Sequence, residues 1–163
     1  MEYLAGMQFP KKNKAFSLIE ILIVITIVAI LIGVLLPNLN EARLKARDEK
    51  RKADLRGFAQ ALELYKNNQP LPAYPDPVDI PQPGQVWIYN NVKYMTMPTD
   101  PLYASNPGMY SYRYYSDAAV DPTTYYLGAC LEDASDPETQ DNAPVGTSWS
   151  GCTTQTWYIV TEP

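Results

Sequence analysis

The 163-residue chain contains no histidine, an absence that removes the commonest general base and the commonest zinc ligand together. Cysteine is nearly absent too. Cys130 and Cys152 are the only two, a count that favours one disulfide in an oxidising compartment over a metal site. Basic residues are scarce in the C-terminal part: from Asn67 onward only Lys93 and Arg113 stand against 11 acids, leaving that part about nine charges negative. Such a surface repels nucleic acid and anionic lipid at long range, within the limits of salt screening, so DNA binding by the C-terminal part is disfavoured. Proline is rare before Gln69, where only Pro10 and Pro37 occur, and common after it. No segment supplies a nucleophile with a base, a phosphate-cradling glycine loop or a Cys/His cluster, so the chain reads as structural rather than enzymatic.

What is present begins with a long apolar run. Between Ala15 and Leu36 the only charged side chain is Glu20, and from Ile21 to Leu36 the only polar one is Thr26. As a helix, Phe16 to Leu36 would be about 31 Å long, enough to span a bilayer's hydrocarbon core. Lys11, Lys12 and Lys14 flank it on one side and the basic run Arg43 to Lys52 on the other. The positive-inside rule alone therefore does not orient it. The acidity and the two cysteines of the C-terminal part break the tie, giving N-terminus in and head out. A secretory signal would end in a small-x-small cleavage site, but Leu36 is followed by the charged PNLNEARLKA, so the segment is expected to be kept.

These residues carry a resemblance. Lys12-Asn13-Lys14-Ala15, then Phe16-Ser17-Leu18-Ile19-Glu20, a long aliphatic run and Pro37 together resemble the N-terminal signature of type IV pilins and type II secretion pseudopilins. The match is specific from Ala15 to about Asn40 and looser over the following helix. The resemblance implies a prepilin: a leader, residues 1–15, removed by a prepilin peptidase between Ala15 and Phe16, and methylation of the new Phe16 amine. The family prefers glycine before the cut, and this chain has Ala15 instead. Met1 and Met7 both stand as starts, the second giving the shorter leader MQFPKKNKA. The implied life history is a single-pass precursor in the cytoplasmic membrane, in contact with lipid. An inner-membrane assembly platform and motor then draw it into a helical homopolymer on the cell surface. A secretion pseudopilin is the alternative within the resemblance, and a signal-anchored extracytoplasmic binding domain the alternative outside it.

Glu20 has two readings. It can sit at the headgroup boundary, favoured by the positive N-terminal end of its helix. Cleavage offers the other, since Phe16 would carry a free amine one helical turn away. In a filament, an axially shifted neighbour's Phe16 amine would pair with this subunit's Glu20, a registration role implied by the resemblance. Pro37 lacks an amide hydrogen and crowds the Gly33 carbonyl, so Gly33 to Pro37 is a weak turn, read either as the family's unwound segment or as a plain kink.

From residue 38 to 68 an amphipathic helix is predicted, with Leu55, Phe58, Leu62 and Tyr65 forming one apolar face. Its charged part, EARLKARDEKRKADLR, places Glu41 by Lys45 and Asp54 by Arg51. That run reads either as a solvated face or as bases awaiting a neighbour's acidic head. Residues 69–163 read as an α+β head. Strands are predicted at Gln85–Asn90 and Val92–Thr96 around an Asn90-Asn91 turn. Further strands are predicted at Tyr110–Tyr115, with Tyr110, Tyr112 and Tyr114 on one face, at Thr123–Leu131 and at Thr156–Thr161. One antiparallel sheet packed on Leu55, Phe58 and Leu62 would bury both apolar faces, as in the roll of pilin heads. Pro98-Thr99-Asp100-Pro101 followed by YSYRYY is weakly reminiscent of the major pseudopilin. A Cys130–Cys152 bridge would close an acidic loop and stabilise the fold by roughly 3 kcal/mol in the chain-entropy model, resembling the C-terminal disulfide loop of many pilins. No cofactor is expected. Glu132, Asp133, Asp136, Glu138 and Asp141, with Asp117 and Asp121 nearby, could supply oxygen ligands to calcium, but they lack the EF-hand spacing and read first as a solvated acidic loop. The many head tyrosines read as sheet packing or as an adhesive surface.

Overall fold

Two sequence patterns share one long helix, α1, which runs from Leu18 to Asn67. The computed structural model describes residues 16–117, 121–144, 146–147, 149–154 and 156–162, so the leader and Ala15 lie outside the described residues. The chain divides into two units, Met1–Asn40 and Glu41–Pro163. In the first, the Ser17 carbonyl accepts from the amides of Glu20 (3.1 Å) and Ile21 (3.3 Å), which starts the helix. Straight and branched aliphatics then propagate it, and the Thr26 hydroxyl donates to the Leu22 carbonyl at 2.7 Å, so this polar group needs no outside partner. Gly33 and Pro37 both fall inside α1.

The second unit is built on the apolar stripe of α1. Leu55, Phe58, Ala61, Leu62 and Tyr65 are buried because their spacing keeps them on one face. Strands β1 (Val86–Tyr89) and β2 (Val92–Thr96) form an antiparallel hairpin. Its two turn residues, Asn90 and Asn91, have φ of 49° and 61°, the left-handed pair that a two-residue hairpin turn requires and asparagine tolerates. Strands β3 (Arg113–Asp117), β4 (Asp121–Cys130) and β5 (Trp157–Thr161) form a separate antiparallel sheet in the order β3-β4-β5.

On one face of that sheet Tyr125, Leu127 and Ala129, continued by Leu131, join Leu55, Phe58, Leu62, Tyr65, Trp87 and Met97 in the main core. The strict alternation of β4 puts these residues on one side. On the other face a smaller cluster gathers Met109, Cys130 and Trp157, with Trp149 and Ile159 against it. Gly128 makes room there. A Cβ at that position would lie 2.3 Å from Trp149 Cζ3, so the bare backbone is what lets the indole lie on the strand.

The α+β class expected from the sequence holds, but the head has two sheets rather than one. The strand expected at Tyr110 starts only at Arg113. Residues 106–110 turn instead, with the amides of Met109 and Tyr110 bonded to the Asn106 carbonyl. Tyr112 and Tyr114 still pack on the main core, whereas Tyr110 packs with the smaller cluster. Most head tyrosines act in packing: Tyr74 and Tyr125 meet edge to face at 4.6 Å, and Tyr94 lies against Trp87 at 5.0 Å.

Candidate functional site

The N-terminal segment is the first candidate. Phe16 is 77% exposed and Leu18 84%, and the large aliphatics from Ile19 to Val34 are exposed around the whole helix. A helix apolar on every side satisfies its own backbone and leaves only side chains to its surroundings, which suits lipid or the interior of an assembly. By length and composition this stretch can cross a membrane. Glu20 stands in the first turn of α1, where the unpaired amides favour a carboxylate. Among the described residues its carboxylate has neither a hydrogen-bond nor an ion-pair partner. Its expected partner, a neighbour's Phe16 amine, belongs to another chain.

The second candidate was not foreseen. The charged part of α1 is not a wholly solvated face, because four of its bases, Arg47, Arg51, Lys52 and Arg56, bind acids of their own head. Arg51 is fully buried. Its guanidinium donates to both oxygens of Asp100, at 2.6 and 3.0 Å, to Asp48 at 2.5 Å and to Glu132 at 2.7 Å, and lies 4.9 Å from the Tyr110 ring centroid. Arg47 makes a second, two-pronged contact with Glu132 at 2.8 and 2.5 Å. Lys52 reaches Asp136 at 2.7 Å and Glu138 at 2.8 Å, and Arg56 approaches Glu138 at 3.7 Å. Asp48 also accepts from the amides of Glu132 and Asp133, fixing the chain as it leaves β4.

The pairing expected between Asp54 and Arg51 does not occur, because Arg51 turns into the head and Asp54 instead accepts from the Tyr112 hydroxyl at 2.7 Å. The expected pair of Glu41 with Lys45 does form, at 2.7 Å on the surface. A signal for the buried network existed. Asp48, Arg51, Leu55, Phe58, Leu62 and Tyr65 recur every three or four residues, so the charged residues continue the apolar stripe and must face the same way. Asp100, from Pro98-Thr99-Asp100-Pro101, is the head's contribution to that stripe.

The electrostatics follow from this pairing. Hydrogen bonds from Arg47 hold the Glu132 carboxyl below its ordinary range against the opposing effect of burial, with Arg51 adding to the lowering. The hydrogen bond from Lys52 lowers Asp136 in the same way. Burial on its own would lower Lys52, but the hydrogen bonds to Asp136 and Glu138 outweigh it and raise the ammonium. Of the carboxylates weighed as calcium ligands, Glu132, Asp136 and Glu138 thus already hold cationic side chains, and Asp133 accepts from the Ser135 amide and hydroxyl. Asp141 is exposed, and the side chains of Asp117 and Asp121 lie outside the description. Among the described residues, no group of three or more potential ligands is arranged to hold a metal ion. Cys130 and Cys152 are joined in a disulfide with Cα atoms 5.5 Å apart, closing the acidic loop.

Comparison with known proteins places the N-terminal candidate in context. Residues 10–36 match the model of the prokaryotic N-terminal methylation motif. Over 56 residues, 34% of this chain and 43% of the relative, the sequence is 49% identical to the type IV wide pilus major component PilA4 of Thermus thermophilus. Over 60 residues, 37% of this chain and 41% of the relative, it is 35% identical to the type II secretion system core protein G of Escherichia coli. The matches span less than half the length of either relative, and no solved structure matches. The chain thus carries the prokaryotic N-terminal methylation motif and, over about a third of its length, is similar to a type IV wide pilus component and to a type II secretion core protein.

Proposed function

We propose that this chain is the precursor of a pilin-like structural subunit. It is inserted in the cytoplasmic membrane with its head outside, cut between Ala15 and Phe16 by a prepilin peptidase, methylated on the Phe16 amine and polymerised through its N-terminal helix. The observation that carries this reading is the methylation motif over residues 10–36, overlapping a helix apolar on every side whose one acid, Glu20, has no partner among the described residues. In a filament the aliphatic surface is buried against neighbouring helices. Glu20 then receives the Phe16 amine of an axially shifted copy. Removing one member of such a buried pair strands the other at about 3–5 kcal/mol, enough to reject a wrongly registered subunit. Gly33 and Pro37 provide the weak turn where the helix can yield during packing.

The head supports this role because Arg47, Arg51 and Lys52 tie the exposed acidic loop to the helix that would be pulled and packed. Assembly platform, motor and further copies of the chain are the implied partners. The similarity to a type II secretion core protein favours a second reading, a pseudopilus subunit in the envelope. Electron microscopy separates the two by whether filaments extend from intact cells. For either, Glu20→Gln as the sole subunit should leave protein in the membrane and abolish filaments. Normal filaments from that strain would refute the registration role.

A further inference from the structure

Most bases of α1 are engaged within their own chain. Arg47, Arg51, Lys52 and Arg56 hold acids of the head, Lys45 holds Glu41, and Lys66 donates to the Tyr74 hydroxyl at 3.1 Å. Arg43 and Lys50 remain. Both are exposed, and among the described residues neither has a hydrogen-bond or ion-pair partner. Seven residues are two helical turns, so these two bases stand on one strip of α1 about 10 Å apart, with the exposed Ala46 between them and the exposed Ala53 beyond. At 3.6 residues per turn that strip faces away from Leu55, Phe58 and Leu62, so the head's own core leaves it uncovered.

The head carries a matching arrangement. The short helical turn Pro77–Asp79 is capped by Asp76, whose carboxylate accepts from the Val78 amide at 3.0 Å. Val78 is 85% exposed, and Asp76 and Asp79 are exposed on either side of it. Neither carboxylate has a basic partner among the described residues. A lone exposed valine is ordinary. Set between two carboxylates, it becomes an apolar centre with a charged rim, the anatomy of a small contact surface. Asp76 and Asp79 are about 6 Å apart along such a turn, and the long stems of Arg43 and Lys50 can converge on them.

From this complementarity we infer that the strip of Arg43 and Lys50 receives the turn at residues 76–79 of a second copy of this chain. Val78 rests on Ala46, and the two carboxylates meet the two bases. The contact presupposes the filament reading and adds a head-to-helix surface to it. The chain cannot satisfy itself, because Asp79 lies within electrostatic reach of the Tyr65 hydroxyl, and Tyr65 follows Lys50 by 15 residues, about 22 Å along the helix. The copies that touch are therefore shifted axially by a comparable distance. Because the two surfaces differ, the contact is heterologous, and it propagates along an open assembly instead of closing in a two-fold pair. Exposed ion pairs are individually weak, so what the contact supplies is register and orientation.

The test is a cysteine cross-link in sheared filaments, using Ala46→Cys together with Val78→Cys. Both native cysteines are in the disulfide, so the two new thiols are the only free ones. A short bismaleimide should give a ladder of multimers on a denaturing gel from the double variant, and monomer alone from either single variant. Charge reversal supplies a second readout. Lys50→Glu should lower filament yield at least about tenfold through like-charge juxtaposition, and adding Asp79→Lys should restore it to within about threefold. Should the double cysteine variant form no filaments, the reversal pair decides. Filaments of the double cysteine variant without a ladder, a ladder from one single variant, or no rescue by Asp79→Lys would each overturn the contact while leaving the filament reading in place. Loss of the Lys50→Glu chain from the membrane fraction would assign the bases to anionic lipid and overturn it as well. No filaments from the unaltered chain would overturn the filament reading, and the contact with it.

Discussion

Substituting Arg51 by methionine tests the buried network most severely. Methionine keeps much of the stem's volume but removes the charge and all donors, so Asp48, Asp100 and Glu132 lose a shared partner at once. The three do not suffer equally. Asp48 keeps the amides of Glu132 and Asp133, and Glu132 keeps Arg47. Among the described residues, the Asp100 carboxylate then retains only the Leu102 amide, at 2.8 Å, while its side chain is 2% exposed. Breaking a buried pair by removing one member costs about 3–5 kcal/mol, a large fraction of the 5–15 kcal/mol by which a domain is ordinarily stable. At roughly 4 °C per kcal/mol for a head of this size, the melting temperature should fall by at least about 10 °C. Thermal unfolding of the full chain in detergent, followed by near-ultraviolet circular dichroism, measures it. Arg51→Lys should lose about 1–2 kcal/mol, since an ammonium cannot reproduce the two-pronged contact with Asp100. The double variant Arg51→Met with Asp100→Leu should recover about 1–2 kcal/mol of the single variant's loss, because no carboxylate is then stranded at position 100. A change within about 0.5 kcal/mol for Arg51→Met would place the residue among surface charges and refute the network as described.

The remaining predictions use other parts of the head. Glu132 and Asp136 are both held below their ordinary range, so as pH falls the unfolded chain takes up protons first. Their contribution to stability is therefore complete above the ordinary carboxylate range of about 4 and is lost as pH drops through the lowered folded values. Urea midpoints measured between pH 7 and 2 should fall below about pH 4, and a flat or rising profile would contradict the pairing. Gly128→Ala should cost about 1–3 kcal/mol and change the tryptophan emission, because the new methyl displaces the Trp149 ring. Unchanged emission with unchanged stability would show that the ring does not rest on that strand.

Local rules made parts of this fold legible in advance. The apolar spacing of Leu55, Phe58, Leu62 and Tyr65 announced the helix face, Asn90-Asn91 announced the hairpin turn, and the alternation of Tyr125, Leu127 and Ala129 announced the buried side of β4. What local rules could not supply was the pairing of charges across more than eighty residues. Arg47 and Arg51 find Glu132 at separations of 85 and 81 residues. Sequence proximity instead suggested Asp54 for Arg51, and nothing local distinguishes a partner one turn away from one brought in by the sheet. The late start of β3 has a different, local origin: the Asn106 carbonyl accepts from the Met109 and Tyr110 amides, and this turn overrides the tyrosine alternation. At the N-terminus the motif was legible because its residues act by position along one helix, with no long-range pairing needed to recognise them.

If Phe16 becomes the first residue of a polymerising helix, the mass of the N-terminal peptide from protein purified from cells will show it. That peptide should begin at Phe16 and carry one methyl group on its amine. A leader still attached through Ala15 would contradict it.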